Sequence, residues 1–272
     1  MRVLVPGGAG FLGGNFVHRL VSGGDEVVVL DRLTDFGSLA RLEGVPHEFV
    51  QGDVADAVTA TGAADGCQAI VNFAAETNLD ASGLASGGFI VTDVYGAHVL
   101  LEFARVAGIR YVQVSTSEAD RPATASAASK AGADLQVQAY VEEHGLNASV
   151  TRAVRAYGPF QHPAAEPASA IVSAFDGEGS RPETLSGTWV HAEDHSAAVE
   201  LVLREGAAGE VYRVGEDDDA VRALGWEPAR TLDDGLAETV EWYRARRDWW
   251  EPIKSRTETP SPQEQYARRS GG

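Results

Sequence analysis

The stretch Arg2–Asp31, RVLVPGGAGFLGGNFVHRLVSGGDEVVVLD, decides the fold. Arg2 to Val5 is a short apolar strand that runs into Pro6-Gly7-Gly8. Phe11, Leu12, Phe16, Val17, Leu20 and Val21 then recur at helical spacing, and Ser22-Gly23-Gly24 ends that helix. Glu26 to Leu30 is a continuous apolar run rich in β-branched residues, the pattern of a strand buried on both faces. Strand, helix and strand in about thirty residues make a βαβ unit. Inside it, Gly8-Ala9-Gly10-Phe11-Leu12-Gly13 fits GxGxxG, and Gly7, Gly10 and Gly13 give a GxxGxxG reading. The motif is informative because it follows a strand and opens a helix. In that setting the first glycines turn the chain and let backbone N–H groups reach a pyrophosphate. Gly13 lets the helix pack close to the strand, and the helix N-terminus supplies partial positive charge. Asp31 ends the second strand, where a carboxylate accepts hydrogen bonds from ribose hydroxyls and repels a 2′-phosphate. NAD is therefore expected over NADP, with Arg32 weakening the preference. Asp53, after the third strand, is expected near the adenine edge. Pro6 is out of place, because it removes a backbone donor at the strand end.

The alternation continues outward. Glu48–Val50, Ala69–Phe73, Arg110–Ser115 and Ala148–Ala153 read as strands, and Phe89–Ala107 and Ser129–Glu143 as helices. This predicts an α/β fold: a Rossmann-type doubly wound parallel sheet with a small, shortened C-terminal α/β lobe. The lobe begins where Gly, Pro and polar residues dominate, with helices expected at Ala168–Phe175, Asp194–Arg204 and Leu232–Arg246 and a strand at Glu210–Val214. The expected division is residues 1–158 for the dinucleotide domain, 159–254 for the lobe and 255–272 for a flexible tail.

Among 272 residues, 22 are Lys or Arg and 40 are Asp or Glu, a net charge of −18. A field of that sign repels nucleic acid and anionic membranes, so neither is an expected partner. A small anion held by local backbone dipoles remains possible. Cys67 is the only cysteine, so an intrachain disulfide and a Cys-based zinc site are excluded, and no metal is expected. No apolar run reaches membrane-spanning length and no leader pattern precedes the first strand, which predicts a soluble cytoplasmic protein.

Further strings carry a resemblance. They are VVVLDRLTDFGSLARLEG (Val27 to Gly44), FVQGDV (Phe49 to Val54), FAAETNLDAS (Phe73 to Ser82), STSE (Ser115 to Glu118) and ASKAGADL (Ala128 to Leu135). TRAVRAYGPFQHP (Thr151 to Pro163), EDHSAAVELVL (Glu193 to Leu203) and the run from Leu224 to Lys254 complete the set. Together they resemble the extended short-chain dehydrogenase/reductase family, most of all its dTDP-glucose 4,6-dehydratase branch, from Val3 to about Arg256.

The resemblance places Gly7, Gly10, Phe11, Leu12, Gly13, Asp31, Arg32, Asp53, Val54, Ala74, Ala75 and Lys130 around NAD. It implies a Tyr-x-x-x-Lys pair in which Lys130 matches the lysine and Ser126 stands at the tyrosine. A serine hydroxyl is far less acidic than a phenol and cannot replace a phenolate. The branch's Thr-Asp-Glu corresponds to Thr116-Ser117-Glu118, so the threonine and the basic glutamate are present and the acid is missing. Paired asparagines before Tyr-Gly-Pro correspond to Arg155-Ala156, and an Arg-Asp-Trp motif that meets the nucleotide diphosphate corresponds to Gly187-Thr188-Trp189. Tens of residues with further diphosphate contacts shrink to GEDDDAVRA (Gly215 to Ala223).

The expected catalytic set is Glu118, Thr116, Lys130, Ser126 and Ser117. Glu76, Arg152, Arg155, Tyr157, His162 and His191 are the candidates to meet substrate. Trp249 and Trp250 read as packing residues. The expected function is an NAD-binding enzyme acting on a small polyhydroxylated or natural-product intermediate without a nucleotide handle. Its chemistry would be elimination, isomerisation or cyclisation. A nucleotide-sugar 4,6-dehydratase or epimerase with rearranged acid and base groups, and a non-catalytic NAD-binding subunit, are the alternatives. The resemblance also implies a homodimer through the Phe89–Ala107 and Ser129–Glu143 helices, with Gly96, Ala97, Ala131 and Ala133 facing outward.

Overall fold

The computed structural model describes residues 1–34, 37–76, 86–177, 185–215 and 219–257. A seven-stranded sheet forms from β1 (Arg2–Pro6), β2 (Glu26–Asp31), β3 (Glu48–Gln51), β4 (Ala69–Asn72), β5 (Arg110–Thr116), β6 (Ala148–Ala153) and β9 (Val211–Val214). Its order is β3-β2-β1-β4-β5-β6-β9, and every pairing is parallel. The order reverses direction between β1 and β4, which leaves a crevice at their carboxyl ends.

Alternation along β1 shows why both faces are covered. Val3 and Val5 enter one core with Phe16, Val17 and Leu20 of α1 (Phe11–Ser22) and Val199 and Val202 of α7 (Ala192–Glu205). Leu4, between them, enters the opposite core with Ala60 of α2 (Ala57–Ala64), Leu100 of α4 (Gly96–Ala107) and Val137 of α5 (Ala125–His144). Successive side chains on a strand point to opposite faces, so an all-apolar strand must be sandwiched between helices. Pro6 is accommodated at the end of β1. Gly7 N–H donates to Leu30 O at 2.8 Å and Phe73 N–H donates to Pro6 O at 2.9 Å, so the neighbouring groups stay bonded.

Several boundaries differ from expectation. The Phe89–Ala107 helix is broken into α3 (Ser86–Phe89), a π-helical segment Ile90–Tyr95, and α4. Helix α5 starts at Ala125 instead of Ser129, because Thr124 caps it by accepting from Ala127 N–H at 3.1 Å. Helix α2 was not legible, although Asp56 caps it. Gly96, Ala97 and Ala133 are buried within the chain, so they do not face outward; Ile90, Val91, Tyr95 and Leu135 do.

The C-terminal region has its own core. A small parallel pair, β7 (Arg155–Tyr157) and β8 (Trp189–His191), lies beside it. Ala168, Ile171 and Val172 of α6 (Ala168–Phe175) pack with Val240 and Tyr243 of α9 (Leu232–Ala245) and with Trp249 and Trp250 of α10 (Arg247–Thr257). A short α8 (Asp219–Ala223) precedes α9. Trp249 and Trp250 do pack, as expected. Helix α10 runs to Thr257, so the expected tail from Ser255 starts inside a helix, and residues 258–272 lie outside the described ones.

Candidate active site

The crevice holds a cavity of about 410 Å³ at the carboxyl ends of β1, β4 and β5. Gly7, Gly10, Phe11, Leu12, Gly13, Asp31 and Arg32 line one end, with Asp53 and Val54 beside them. Ala74, Ala75, Thr116 and Lys130 also line it. Every residue expected around the cofactor therefore reaches this cavity.

The glycine loop is built by close approach. A Cβ on Gly13 would lie 2.2 Å from Gly7 O, and one on Gly7 would lie 2.7 Å from the backbone of Phe73 and Ala74. Gly7 also has φ +76°, in the region that disfavours other residues. No side chain caps α1, and its first turn holds no acidic residue. Its N-terminal N–H groups are thus left for an anionic ligand.

Asp31 is braced from both sides. One carboxylate oxygen accepts from Ala9 N–H at 3.0 Å and the other from Leu33 N–H at 2.8 Å. Arg32 pairs with Asp53 at 3.0 Å and with Glu76 at 2.8 Å. Two carboxylates offset its charge, which weakens Arg32 as a partner for a 2′-phosphate. Glu76, a candidate to meet substrate, has its carboxylate held by Arg32 and is not among the residues lining the cavity.

Two buried polar atoms on the cavity wall want partners. Thr92 Oγ1 and Gln161 Oε1 find none among the described residues, and both side chains line the cavity. Buried polar atoms are rarely left unpaired, so these point to a polar ligand. A dinucleotide, with hydroxyl and amide groups along its length, fits a cradle of this chemistry. Thr92, Gln161 and Arg41 are lining residues that sequence reading did not single out. Thr92 follows a hydrophobic pair in a helix and Gln161 sits in a Pro-rich loop, so neither carries a local signal.

The expected catalytic residues divide. Thr116 and Lys130 line the cavity. Thr116 also caps the 3-10 turn Ser117–Asp120, accepting from Glu118 N–H at 3.3 Å. Glu118 is exposed on that turn, and Ser117 sits beside it; neither lines the cavity. Ser126 stands one helical turn before Lys130 on α5 and does not line it either.

The expected substrate residues divide more sharply. His162 is buried and lines the cavity, with Nδ1 accepting from Ala164 N–H at 3.2 Å. Arg152 does not. Its Nε donates to Asp134 at 2.8 Å and its Nη1 to Asp120, which Arg213 also holds at 2.9 Å. Asp134 is fully buried, and burial pushes its carboxyl up despite the arginine. An ion network, then, is the destination of Arg152. Arg155 is exposed and its guanidinium lies 5.7 Å from the Trp189 ring centre. Tyr157 is buried with its hydroxyl toward Leu232 O at 3.4 Å, and burial pushes that hydroxyl up to about 12. His191 caps α7 through Nδ1, which accepts from Glu193 N–H at 3.3 Å, and burial pulls its pKa down. No cluster of metal-ligating side chains occurs among the described residues. No helix there is long and apolar enough to cross a membrane.

Residues 3–215 match the NAD dependent epimerase/dehydratase family. The chain is 35% identical to a dTDP-glucose 4,6-dehydratase of Streptomyces niveus, over 96% of this chain and 98% of that protein. It is also 35% identical to the low-salt glycan biosynthesis protein Agl12 of Haloferax volcanii, over 89% of this chain and 98% of that one. Among solved structures it resembles DesIV, a dTDP-glucose 4,6-dehydratase from Streptomyces venezuelae with NAD bound. The TM-score is 0.84 at 36% identity, covering 93% of this chain and 100% of that one. The first alignment spans 332 positions against a chain of 272 residues, so the shortfall lies in internal gaps.

Proposed function

The chain belongs to the NAD dependent epimerase/dehydratase family, and from that membership we propose that it binds NAD and acts on a nucleotide sugar, as a 4,6-dehydratase-type enzyme with rearranged acid and base groups. The observation that carries this reading is the cavity itself: the glycine loop, the braced Asp31, Thr116 and Lys130 meet in one space. The names of the relatives favour a nucleotide sugar over the small substrate without a nucleotide handle. When bound, NAD supplies a reversible hydride acceptor. Lys130 orients hydroxyl groups and adds positive charge nearby. Glu118, exposed on the turn that Thr116 caps, is the base assigned to a carbon-bound proton, and it has to turn toward the cavity to take it. Ser117 cannot protonate a leaving oxygen. His162 lines the cavity and can donate a hydrogen bond from Nε2 to that oxygen, since its Nδ1 accepts from Ala164 N–H; the proton itself must come from solvent. Ser126 supplies no phenol, so turnover should be slow.

The test is conversion of dTDP-glucose to its 4-keto-6-deoxy product by purified protein with NAD. Slow product formation, reduced roughly 10²–10⁴-fold further by Glu118→Gln, is expected for a lost general base. NAD binding with no product and no binding of a nucleoside diphosphate would contradict the nucleotide-sugar reading.

One observation favours the second reading, a substrate without a nucleotide. Arg152 is bound to Asp134 and Asp120, Arg155 packs on Trp189, and neither lines the cavity, so two candidates to hold an anionic substrate group are engaged elsewhere. Product from a small polyhydroxylated compound but not from dTDP-glucose would select it. We also infer a homodimer through the face formed by α5 and the π-helical segment Ile90–Tyr95, where Ile90 is 58% and Leu135 64% exposed, with Val91 and Tyr95 alongside. Apolar side chains grouped on a helix face suit burial against a second copy.

A further inference from the structure

Arg41 stands on the 3-10 turn Leu39–Leu42 and is 1% exposed. Its Nη1 donates to Ala9 O in the glycine loop at 3.1 Å, and its Nε donates to Phe160 O at 3.0 Å. The guanidinium lies 5.3 Å from the ring centre of Trp249 on α10. His18 of α1 holds the same turn, with Nε2 2.7 Å from Arg41 O, and its ring stacks on Phe160 at 5.3 Å. Burial pulls the Arg41 pKa down to about 10, so the side chain stays charged near neutrality.

Phe160 is the unusual partner. Its φ is +67°, in the left-handed region that a bulky residue seldom adopts. Such a conformation persists when its surroundings over-determine it. Here the surroundings are the Arg41 bond and the rings of Trp242 and Trp249, at 4.9 and 5.8 Å. The next two residues, Gln161 and His162, line the cavity. Tyr243 of α9 donates to Gln161 O and ties the same loop to the lobe. One planar fork therefore spans the glycine loop, the loop over the cavity and the C-terminal helix. A lysine could supply charge but not two fixed donors and a stacking plane.

We propose that Arg41 is a positioning residue that locks the Pro159–His162 loop to the glycine loop, so that occupancy of the dinucleotide site sets the placement of Gln161 and His162. This rests on the dinucleotide reading of the cavity. Coupling of this kind is reciprocal: a ligand that orders the glycine loop fixes Ala9 O, and a fixed loop in turn favours the ligand.

The test is hydrogen exchange of the full chain, with and without NAD, for wild type, Arg41→Met and Arg41→Lys. Arg41→Met keeps bulk and removes the guanidinium donors, including those to Ala9 O and Phe160 O. Without NAD, it should speed exchange across 159–165 by about tenfold, the effect of losing roughly one charged hydrogen bond, and leave β1 and β4 unchanged. With NAD, wild type should gain protection at both the glycine loop and 159–165. The variants should gain it only at the glycine loop. A merely structural arginine would not separate those two responses. Equal exchange at 159–165 in all three proteins, or NAD-induced protection there in both variants, would overturn the proposal. If Arg41→Met does not fold, Arg41→Lys decides alone. If NAD protects nothing in wild type, the dinucleotide reading and the coupling both fall, and the NAD-free comparison still decides whether Arg41 holds the loop.

Discussion

At the β1–α1 end of the cavity, recognition rests on the main chain: a glycine loop whose approach to Phe73 leaves no room for a Cβ, and an uncapped helix N-terminus. At the other end, around β6, β7 and β8, the residues expected to meet substrate are side chains, and each is bound to a partner within the chain. Arg152 serves Asp134 and Asp120, Tyr157 reaches Leu232, and His191 caps a helix. The difference teaches that a site made of backbone groups is specified by a few glycines, whereas a site made of side chains changes with each partner nearby. The first end keeps a general dinucleotide cradle. At the second end, where the proposed chemistry lies, Ser126 and Ser117 stand in place of the groups that the resemblance leads one to expect.

The comparison breaks most readily at Gly13. Gly13→Val puts branched atoms against Gly7 O, where even a Cβ would sit at 2.2 Å. It should abolish measurable NAD binding by calorimetry while circular dichroism still reports a folded sheet. The other end can be sharpened by gain of function. Ser126→Tyr restores a phenol one helical turn from Lys130, on the same face. If hydride transfer limits turnover, the rate should rise roughly 10²–10⁴-fold; an unchanged rate would locate the limiting step elsewhere.

His195 tests the seam between the two ends. It is fully buried on α7, edge-on to Phe73 at 6.2 Å, and neither ring nitrogen has a partner among the described residues. Burial lowers its pKa from 6.5 to about 4. The unfolded chain therefore takes up a proton before the folded one does. The stability this neutral ring permits is full above pH 6.5 and is lost as pH falls toward 4. The loss amounts to about 3 kcal/mol as an upper figure. Urea melts between pH 7 and pH 4 should show that slope in wild type and a shallower one in His195→Leu. A smaller effect is expected for Asp31→Asn, which keeps the size but loses the charge facing Ala9 N–H and the ribose. NAD affinity should fall about tenfold, with the NADP penalty relaxed.

Much of the fold was legible because its signals are local. The apolar runs at Val27–Leu30 and Ala69–Val71, and the glycines after Pro6, need no knowledge of neighbours. Helix α2 escaped because AVTATGAA has almost no amphipathic contrast, and α10 because Pro252 lies inside it. The cradle was legible for the same reason as the strands. Arg152, Tyr157 and His191 were not, since their partners Asp134, Leu232 and Glu193 are chosen by packing. The outward faces of α4 and α5 were misjudged because small residues were read as exposed. Gly96 is in fact packed so tightly that a Cβ there would meet Val54 at 2.5 Å.

The central claim is that this acidic chain holds NAD through its glycine loop and Asp31. Calorimetric titration of protein freed of bound cofactor, with NAD, NADP and dTDP in parallel, tests it most directly. The account predicts one NAD per chain, at least tenfold weaker binding of NADP, and binding of dTDP that survives when NAD is bound. No heat from NAD at any concentration, with folded protein in the cell, would contradict it.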